Sequence, residues 1–172
     1  MALITGLIFL VVLTLLGITA ARMAGLEERM SGNTRDRSLA VQAAEMTLRD
    51  AELDIRNPNK RVEAAAISVN AATCTDGVCY NGPNGGVVGD ANNWNTRPVW
   101  DQFSMTAAPS VAYGNNTVAT SINGLSDQPR YIIERIKKNV PGSGNAFYYR
   151  ITVRAQGANP NTVVWLQEVF KP

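Results

Sequence analysis

The sequence predicts an α+β protein in which one long N-terminal helix packs on a C-terminal antiparallel β-sheet of about three to five strands. Three features predict this class: an uncharged apolar segment at residues 1–21, an amphipathic helical pattern at residues 22–56, and strand-like alternation between residues 131 and 170. A helix and a sheet that each carry one apolar face are stable when those faces cover each other. We therefore expect one helix in two halves, followed by one globular domain at residues 57–172.

The apolar segment has the length of a membrane span. Met1 to Ala21 carry no charged side chain, and Arg22 is the first charged residue. A helix rises about 1.5 Å per residue, so the segment spans roughly 30 Å, the thickness of a bilayer's hydrocarbon core. A cleavable secretory signal begins with basic residues and ends in a small-residue cleavage site, and this segment has neither. We expect it to be a retained single-pass anchor.

The amphipathic half carries two apolar stripes, whereas a surface helix needs only one. At 100° per residue, Thr47 and Asp54 fall in a gap between the stripes. Either the helix is buried deep in its own domain, or the first stripe covers the sheet and the second contacts other subunits. The membrane segment favours the second alternative, because a helix that leaves a bilayer lies at the edge of its domain. The first stripe contains Val41, Ala44, Leu48, Ala51 and Ile55, and the second contains Leu39, Ala43, Met46 and Leu53.

Glycine and proline mark the weak points and the end of this helix. Gly17, Gly25 and Gly32 each destabilise a helix interior by roughly 1 kcal/mol relative to alanine, so we expect helix flexibility there. Pro58 disfavours helical geometry in the residue before it, which predicts a helix end near Arg56. A short helix or turn is expected at residues 61–69.

The rest of the chain divides into a variable region at about residues 71–128 and a strand-rich end. The variable region is rich in Asn, Gly, Thr and Ser, with turn signals at residues 84–86 and 114–116. Strands are predicted at residues 131–137, 147–155 and 163–170, joined by short polar turns in an antiparallel meander. The alternation predicts that the middle strand is buried on one face only. Three aromatic anchors are expected in the variable region: Trp94, Trp100 and Phe103.

The two cysteines, Cys74 and Cys79, flank a turn signal at Asp76-Gly77. They could form a disulfide, hold zinc or act as a redox pair. A closed zinc site needs four ligands and the chain has no histidine, while a redox pair usually has two intervening residues and a βαβ context. We therefore expect a small disulfide loop in an oxidising compartment. Asp76 and Asp90 lack the ligand spacing of a twelve-residue calcium loop.

Composition argues against nucleic-acid binding and catalysis. The net charge of +2 comes from 16 basic and 14 acidic residues that form no basic stripe. The absence of histidine removes the commonest general base and metal ligand. Neither a G-x-S-x-G motif nor a glycine-rich phosphate loop is found. We expect no catalytic residues, no metal and no cofactor.

The N-terminal region resembles the PilX family of minor pilins of type IV pili. The resemblance rests on residues 1–10 (MALITGLIFL), 26–37 (LEERMSGNTRDR), 43–45 and 48–52. It implies a type IV pilin fold and a non-enzymatic minor pilin of a tip complex, which helps prime assembly of the pilus and is incorporated into it. It also implies the inner membrane with a periplasmic C-terminal domain, and later the extracellular pilus. The implied partners, reached through the N-terminal helix, are other minor pilins and the major pilin, with a large tip adhesin as a further candidate.

A pilus-borne adhesin is the alternative function, with the Asn/Gly-rich region presented to a surface or host. The resemblance also places Thr5 where major pilins carry a glutamate that is thought to pair with a neighbour's N-terminal amine. This assignment takes Met1 as the mature first residue after leader cleavage; otherwise Met1 is the initiator and the numbering is coincidental. The expected subunit-packing residues are Met1, Thr5, Leu39, Met46 and Leu53.

Overall fold

The computed structural model describes residues 2–68, 74–79, 104–140 and 144–172. Within these residues the chain forms two helices and six strands. The helices are α1 (Ala2–Ile55) and α2 (Arg61–Ser68). The strands are β1 (Cys74–Thr75), β2 (Val78–Cys79), β3 (Val111–Ala112), β4 (Arg130–Val140), β5 (Gly144–Gln156) and β6 (Val163–Phe170). Trp94, Trp100, Phe103, Asp90 and the turn signal at residues 84–86 lie outside the described residues.

The chain separates into two compact units, Met1–Asp36 and Arg37–Pro172. The described part of the first unit belongs to α1, and its large apolar side chains are exposed. An 18-residue window of the helix has a mean hydropathy of 2.6, so α1 is long and apolar enough to cross a bilayer. The helix is continuous through Gly17, Gly25 and Gly32. Flexibility at these glycines stays a prediction.

The second unit contains a six-stranded sheet in the order β1-β2-β4-β5-β6, with β3 also paired to β4. Strands β4, β5 and β6 form the expected antiparallel meander, with Ile133 opposite Ile151 and Ile151 opposite Glu168. The sheet differs from the prediction in size and in one orientation. Strand β2 runs parallel to β4, with Val78 opposite Ile133, so the sheet is mixed. Two-residue strands such as β1, β2 and β3 are too short to show a period of two in the sequence.

Residues 40–55 of helix α1 cover one face of this sheet, as the first stripe predicts. Ala44 and Ala51 are fully buried, and larger residues of the same stripe pack at the margin of the core. Thr47 and Asp54 were predicted to lie between the stripes and Ala43 to lie on the second stripe, and this was wrong. All three residues are buried on the helix face that packs on the sheet. The most buried line of the helix therefore runs between the two predicted stripes. The core cluster also contains Val62, Val78, Val111, Tyr131, Ile133, Tyr149, Ile151, Val153, Ala155, Val164 and Phe170.

The middle strand β5 is buried on both faces, not on one. Arg150 and Thr152, which the alternation assigned to solvent, are each 2% exposed. On the neighbouring strand β4, Ile132 belongs to a second buried cluster with Cys79 and Met105, separate from the core under α1. The second face of the sheet is therefore covered as well. Polar residues can occupy it because they are paired with each other.

The ends of the elements follow local backbone chemistry. Helix α1 ends at Ile55, just before Asn57-Pro58, as predicted. The predicted turn after β3 is also present, since the Asn115 N–H donates to the Ala112 carbonyl at 3.1 Å. Gly114 has a φ of 75°, and a Cβ there would lie 2.2 Å from the Ala119 carbonyl oxygen. The turn therefore requires glycine at this position.

Candidate functional site

Three residues of the second stripe (Leu39, Met46 and Leu53, here called the outer stripe) were expected to contact other subunits. Met46 is 43% exposed and Leu53 is 60% exposed, whereas Leu39 is partly buried. These side chains are carried by the same part of α1 whose alanines fill the core. The second unit thus has an apolar strip on a helix that its own sheet leaves open to solvent.

In the apolar half of α1, the threonine hydroxyls donate hydrogen bonds to backbone carbonyls of the helix itself. The Thr5 hydroxyl donates to the Ala2 carbonyl at 2.9 Å, and the Thr19 hydroxyl donates to the Leu16 carbonyl at 2.9 Å. The Thr14 hydroxyl bonds back to the Leu10 carbonyl in the same way. Such bonds remove the cost of placing a hydroxyl in an apolar environment. Met1, the remaining expected packing residue, lies outside the described residues.

Cys74 and Cys79 form the expected disulfide across a two-residue turn. Asp76 and Gly77 both have positive φ, at 47° and 77°, which is the conformation of a type I′ hairpin turn. A Cβ on Gly77 would lie 2.4 Å from Val111 Cγ2, so the turn also packs too closely for any other residue. A loop this small gives a disulfide stabilisation of about 2 kcal/mol by chain entropy.

The hairpin meets the end of α1 at a cluster of polar side chains, here called the corner cluster (Asp54, Arg61, Asp76 and Tyr131). Arg61 Nε donates to Asp54 Oδ1 at 3.0 Å, and Arg61 Nη2 contacts Asp54 Oδ2. Arg61 Nη1 donates to both the carboxylate and the carbonyl of Asp76, at 2.7 and 2.8 Å. The Tyr131 hydroxyl donates to Asp54 at 2.8 Å. One guanidinium therefore joins α1, α2 and the hairpin, and the phenol adds β4.

Burial and charge fix the protonation states of Tyr131 and Arg61 in this cluster. The Asp54 side chain is fully buried, and the Arg61 side chain is 24% exposed. Burial raises the pKa of the Tyr131 phenol, and the adjacent Asp54 carboxylate raises it further. Burial by itself lowers the pKa of the Arg61 guanidinium, but Asp54 and Asp76 outweigh that effect and the pKa is raised. Tyr131 is therefore neutral and Arg61 charged across the physiological range.

A second buried carboxylate on α1 holds the loop after β3. The Gly114 N–H donates to Asp50 Oδ2 at 2.9 Å, and the Thr117 hydroxyl donates to Asp50 Oδ1. On the opposite face of the sheet, Arg150 and Glu134 form an ion pair whose side chains are 2% and 1% exposed. These interactions position structural elements and present no reacting group.

The corner cluster was not predicted from the sequence, and neither were Asp50 or the Glu134–Arg150 pair. Thr47, Asp50 and Asp54 recur at helical spacing, and such a recurrence could have indicated polar groups on a buried face. Within the described ranges, no group of three or more His, Cys, Asp or Glu side chains could hold a metal ion. Asp76, one of the two aspartates considered for calcium, is instead bound to Arg61.

Two family models together match most of the chain. The model described as type IV pilus assembly protein PilX C-term matches residues 75–172, and the model described as PilX N-terminal matches residues 1–49. No curated protein and no solved structure matches the chain. The C-terminal match contains Asp76 and Tyr131 of the corner cluster and the whole meander, and the N-terminal match contains the apolar half of α1.

Proposed function

The chain belongs to the PilX family of type IV pilus assembly proteins, and from this premise we propose that it is a minor pilin that helps prime pilus assembly and is incorporated into the pilus. In this role α1 is used twice. Its apolar half anchors the subunit in the inner membrane, with the globular domain on the periplasmic side, and later packs in the filament. The outer stripe extends that packing onto the globular domain. The partners proposed are other minor pilins and the major pilin.

The exposure of Met46 and Leu53 is the observation that carries this proposal. Both are large apolar side chains, 43% and 60% exposed, and each directly precedes a buried residue of the helix, Thr47 or Asp54. Burying an apolar side chain of this size against another subunit is worth about 1.5–3 kcal/mol. A solvent-exposed apolar strip on a helix is well suited to packing against a helix of another subunit.

The test is a polar substitution in the outer stripe. Met46→Gln should lower the amount of this subunit in sheared pili, measured by immunoblot, because a glutamine is costly to desolvate against an apolar helix. The same change should leave the fold intact, because Met46 packs little against its own sheet. Leu48→Gln, on the stripe that contacts the core, should instead unfold the domain.

Val169→Gln is the matched control, since Val169 is a 54% exposed apolar residue on β6 and not on α1. It should leave incorporation unchanged. If Met46→Gln unfolded the domain as severely as Leu48→Gln, the outer stripe would be core and the packing role would be abandoned. If Met46→Gln folded and incorporated normally, the stripe would have no role in assembly.

Placement at the pilus tip is the finer part of the proposal, and Thr5 supports it. A subunit at the tip has no subunit above it to supply an amine, so a carboxylate at this position would be an unpaired charge in the membrane. Such a charge costs on the order of 3 kcal/mol by insertion scales. The Thr5 hydroxyl avoids this cost, because it is satisfied by the Ala2 carbonyl of its own helix.

Thr5→Ala should therefore have little effect on the number of surface pili, counted by electron microscopy. The matching change at the glutamate of the major pilin should abolish assembly. If the Thr5→Ala strain had as few surface pili as a strain that lacks this subunit, Thr5 would make an essential contact. The tip placement would then be rejected. The adhesin role stays an alternative prediction for the region at about residues 71–128.

A further inference from the structure

We propose that the Cys74–Cys79 disulfide is an oxidation-dependent latch, which holds Asp76 on Arg61 and so fixes the end of helix α1 to the sheet. The disulfide closes the hairpin formed by β1 and β2. The tip of that hairpin carries Asp76, whose carboxylate and carbonyl both accept hydrogen bonds from Arg61. Arg61 in turn holds Asp54 in the last turn of α1. The proposal concerns folding before assembly and does not depend on the pilus role.

The hairpin is short, and the disulfide adds a covalent closure to its few strand contacts. Its two strands have two residues each, with only Thr75 opposite Val78 and Cys74 opposite Cys79. Isolated two-stranded hairpins are marginally stable even when longer. The hairpin is also docked by backbone bonds, from the Ile133 N–H to the Gly77 carbonyl at 2.7 Å and from the Gly77 N–H to the Pro109 carbonyl at 2.9 Å. Opening the hairpin would therefore weaken these two backbone bonds and the Asp76–Arg61 contact together.

Losing the Asp76 contact would weaken the hold of Arg61 on the Asp54 carboxylate, which has no access to water. Asp54 is fully buried and Asp76 is 49% exposed, so Asp76 is the solvent-side end of the chain of contacts. With Asp76 in place, the Arg61 guanidinium is held by two acceptor residues and its fork is fixed on Asp54. With the hairpin open, Arg61 loses one of these anchors and can turn toward solvent.

The chemistry of the latch is ordinary thiol–disulfide exchange. One cysteine thiolate attacks a disulfide oxidant of the compartment and forms a mixed disulfide, and the second thiolate then displaces it. Two electrons pass to the oxidant, which leaves as two thiols, and the two cysteine protons are released and taken up in the exchange. Cys74 and Cys79 end as the disulfide. A subunit that meets such an oxidant after crossing the membrane would lock its corner cluster at that point.

The test measures amide hydrogen exchange by NMR on the full chain in detergent micelles, oxidised and reduced. Three amides report separately on three places. Gly77 reports on the hairpin, Asn57, whose N–H donates to the Asp54 carbonyl at 3.2 Å, reports on the end of α1, and Ile151 in β5 reports on the whole sheet. We expect reduction to accelerate exchange at Gly77 and Asn57 by about tenfold or more, as loss of a charge-assisted hydrogen bond implies, and to affect Ile151 less.

Asp76→Asn separates the latch from a local effect of the disulfide. Asparagine tolerates the positive φ at this position, so the turn is retained while the charge is lost. In the oxidised variant, Asn57 should exchange faster while Gly77 stays slow, and reduction should add little at Asn57. Asp127→Asn is the matched control, because Asp127 is exposed and outside the corner cluster. It should behave as the unchanged protein.

Two results would overturn the latch. One is reduction that accelerates Gly77 and leaves Asn57 unchanged. The other is an oxidised Asp76→Asn protein that matches Asp127→Asn at Asn57. If reduction accelerated exchange at Ile151 as much as at Gly77 and Asn57, the reduced protein would be opening globally. The latch would then be tested by the exchange rate at Asn57 in the oxidised Asp76→Asn and Asp127→Asn proteins alone.

Discussion

Replacing Glu134 by glutamine tests how strongly the ion pair on the second face of the sheet stabilises this protein. Glu134 and Arg150 lie directly opposite each other in the β4–β5 register. Their side chains are 1% and 2% exposed, so neither charge can exchange its partner for water. Glutamine keeps the shape of glutamate and can still accept a hydrogen bond from the guanidinium, but it removes the negative charge.

The expected loss is large because the remaining charge stays buried. Removing one partner of a buried ion pair costs about 3–5 kcal/mol, whereas an exposed pair is worth about 0–1 kcal/mol. Since the amide oxygen still accepts from Arg150, we expect a loss of about 3 kcal/mol for Glu134→Gln. Small domains are stable by about 5–15 kcal/mol in total, so this loss should move the unfolding midpoint clearly.

Urea unfolding of the full chain in detergent micelles, followed by circular dichroism, measures the loss as a lower midpoint at unchanged slope. Glu63→Gln is the matched control, because Glu63 pairs with Lys60 at 3.6 Å and the two side chains are 51% and 76% exposed. We expect it to cost less than about 1 kcal/mol.

Equal losses for the two glutamine variants, or a loss below about 1 kcal/mol for Glu134→Gln, would show that burial does not strengthen this pair. A second comparison checks the cause. Glu134→Leu combined with Arg150→Met should be more stable than Arg150→Met alone, because the double variant removes both charges of the pair.

Two further predictions concern a carboxyl group and a turn. Burial and the nearby Glu52 raise the pKa of Glu168 above its ordinary 4.5, so the folded state retains a proton that the unfolded state releases. Relative to wild type, the free energy of unfolding of Glu168→Gln should therefore rise as the pH increases from about 4.5. Urea titrations at several pH values measure this difference. Gly114→Ala should cost more than about 2 kcal/mol, since it meets the Ala119 carbonyl at positive φ, whereas Gly124→Ala, at a φ of 84° with open space around it, should cost about 1 kcal/mol. A Gly124 variant as unstable as the Gly114 variant would contradict the steric argument.

The elements that the sequence predicts well are those that repeat a pattern over many residues. The meander strands and the long helix each carry several periods of apolar alternation, and their ends are marked by local signals such as Asn57-Pro58. The disulfide was predictable because only two cysteines exist and the turn between them has its own signature at Asp76-Gly77. In each case the information lies within one short stretch of chain.

The contacts of Asp54 with Tyr131 and of Asp50 with Gly114 could not be predicted, because the two partners of each contact are distant in sequence. Asp54 meets Tyr131 across 77 residues, and Asp50 meets Gly114 across 64 residues. A helix pattern assigns an aspartate to solvent unless a partner is known, since an unpaired buried carboxylate is strongly unfavourable. The same reasoning explains the error on β5, where Arg150 is buried with Glu134 directly opposite it.

The identity of the buried residues on α1 also explains why the outer stripe is left exposed. The helix meets the sheet through Ala40, Ala44 and Ala51, all fully buried, and small side chains let a helix approach a sheet closely. The larger residues must then lie on the flanks. On one flank Leu48 and its neighbours fill the margin of the core, and on the other the outer stripe remains available. Enlarging one of these alanines, for example by Ala44→Leu, would push the helix away from the sheet and should destabilise the domain by about 1–3 kcal/mol.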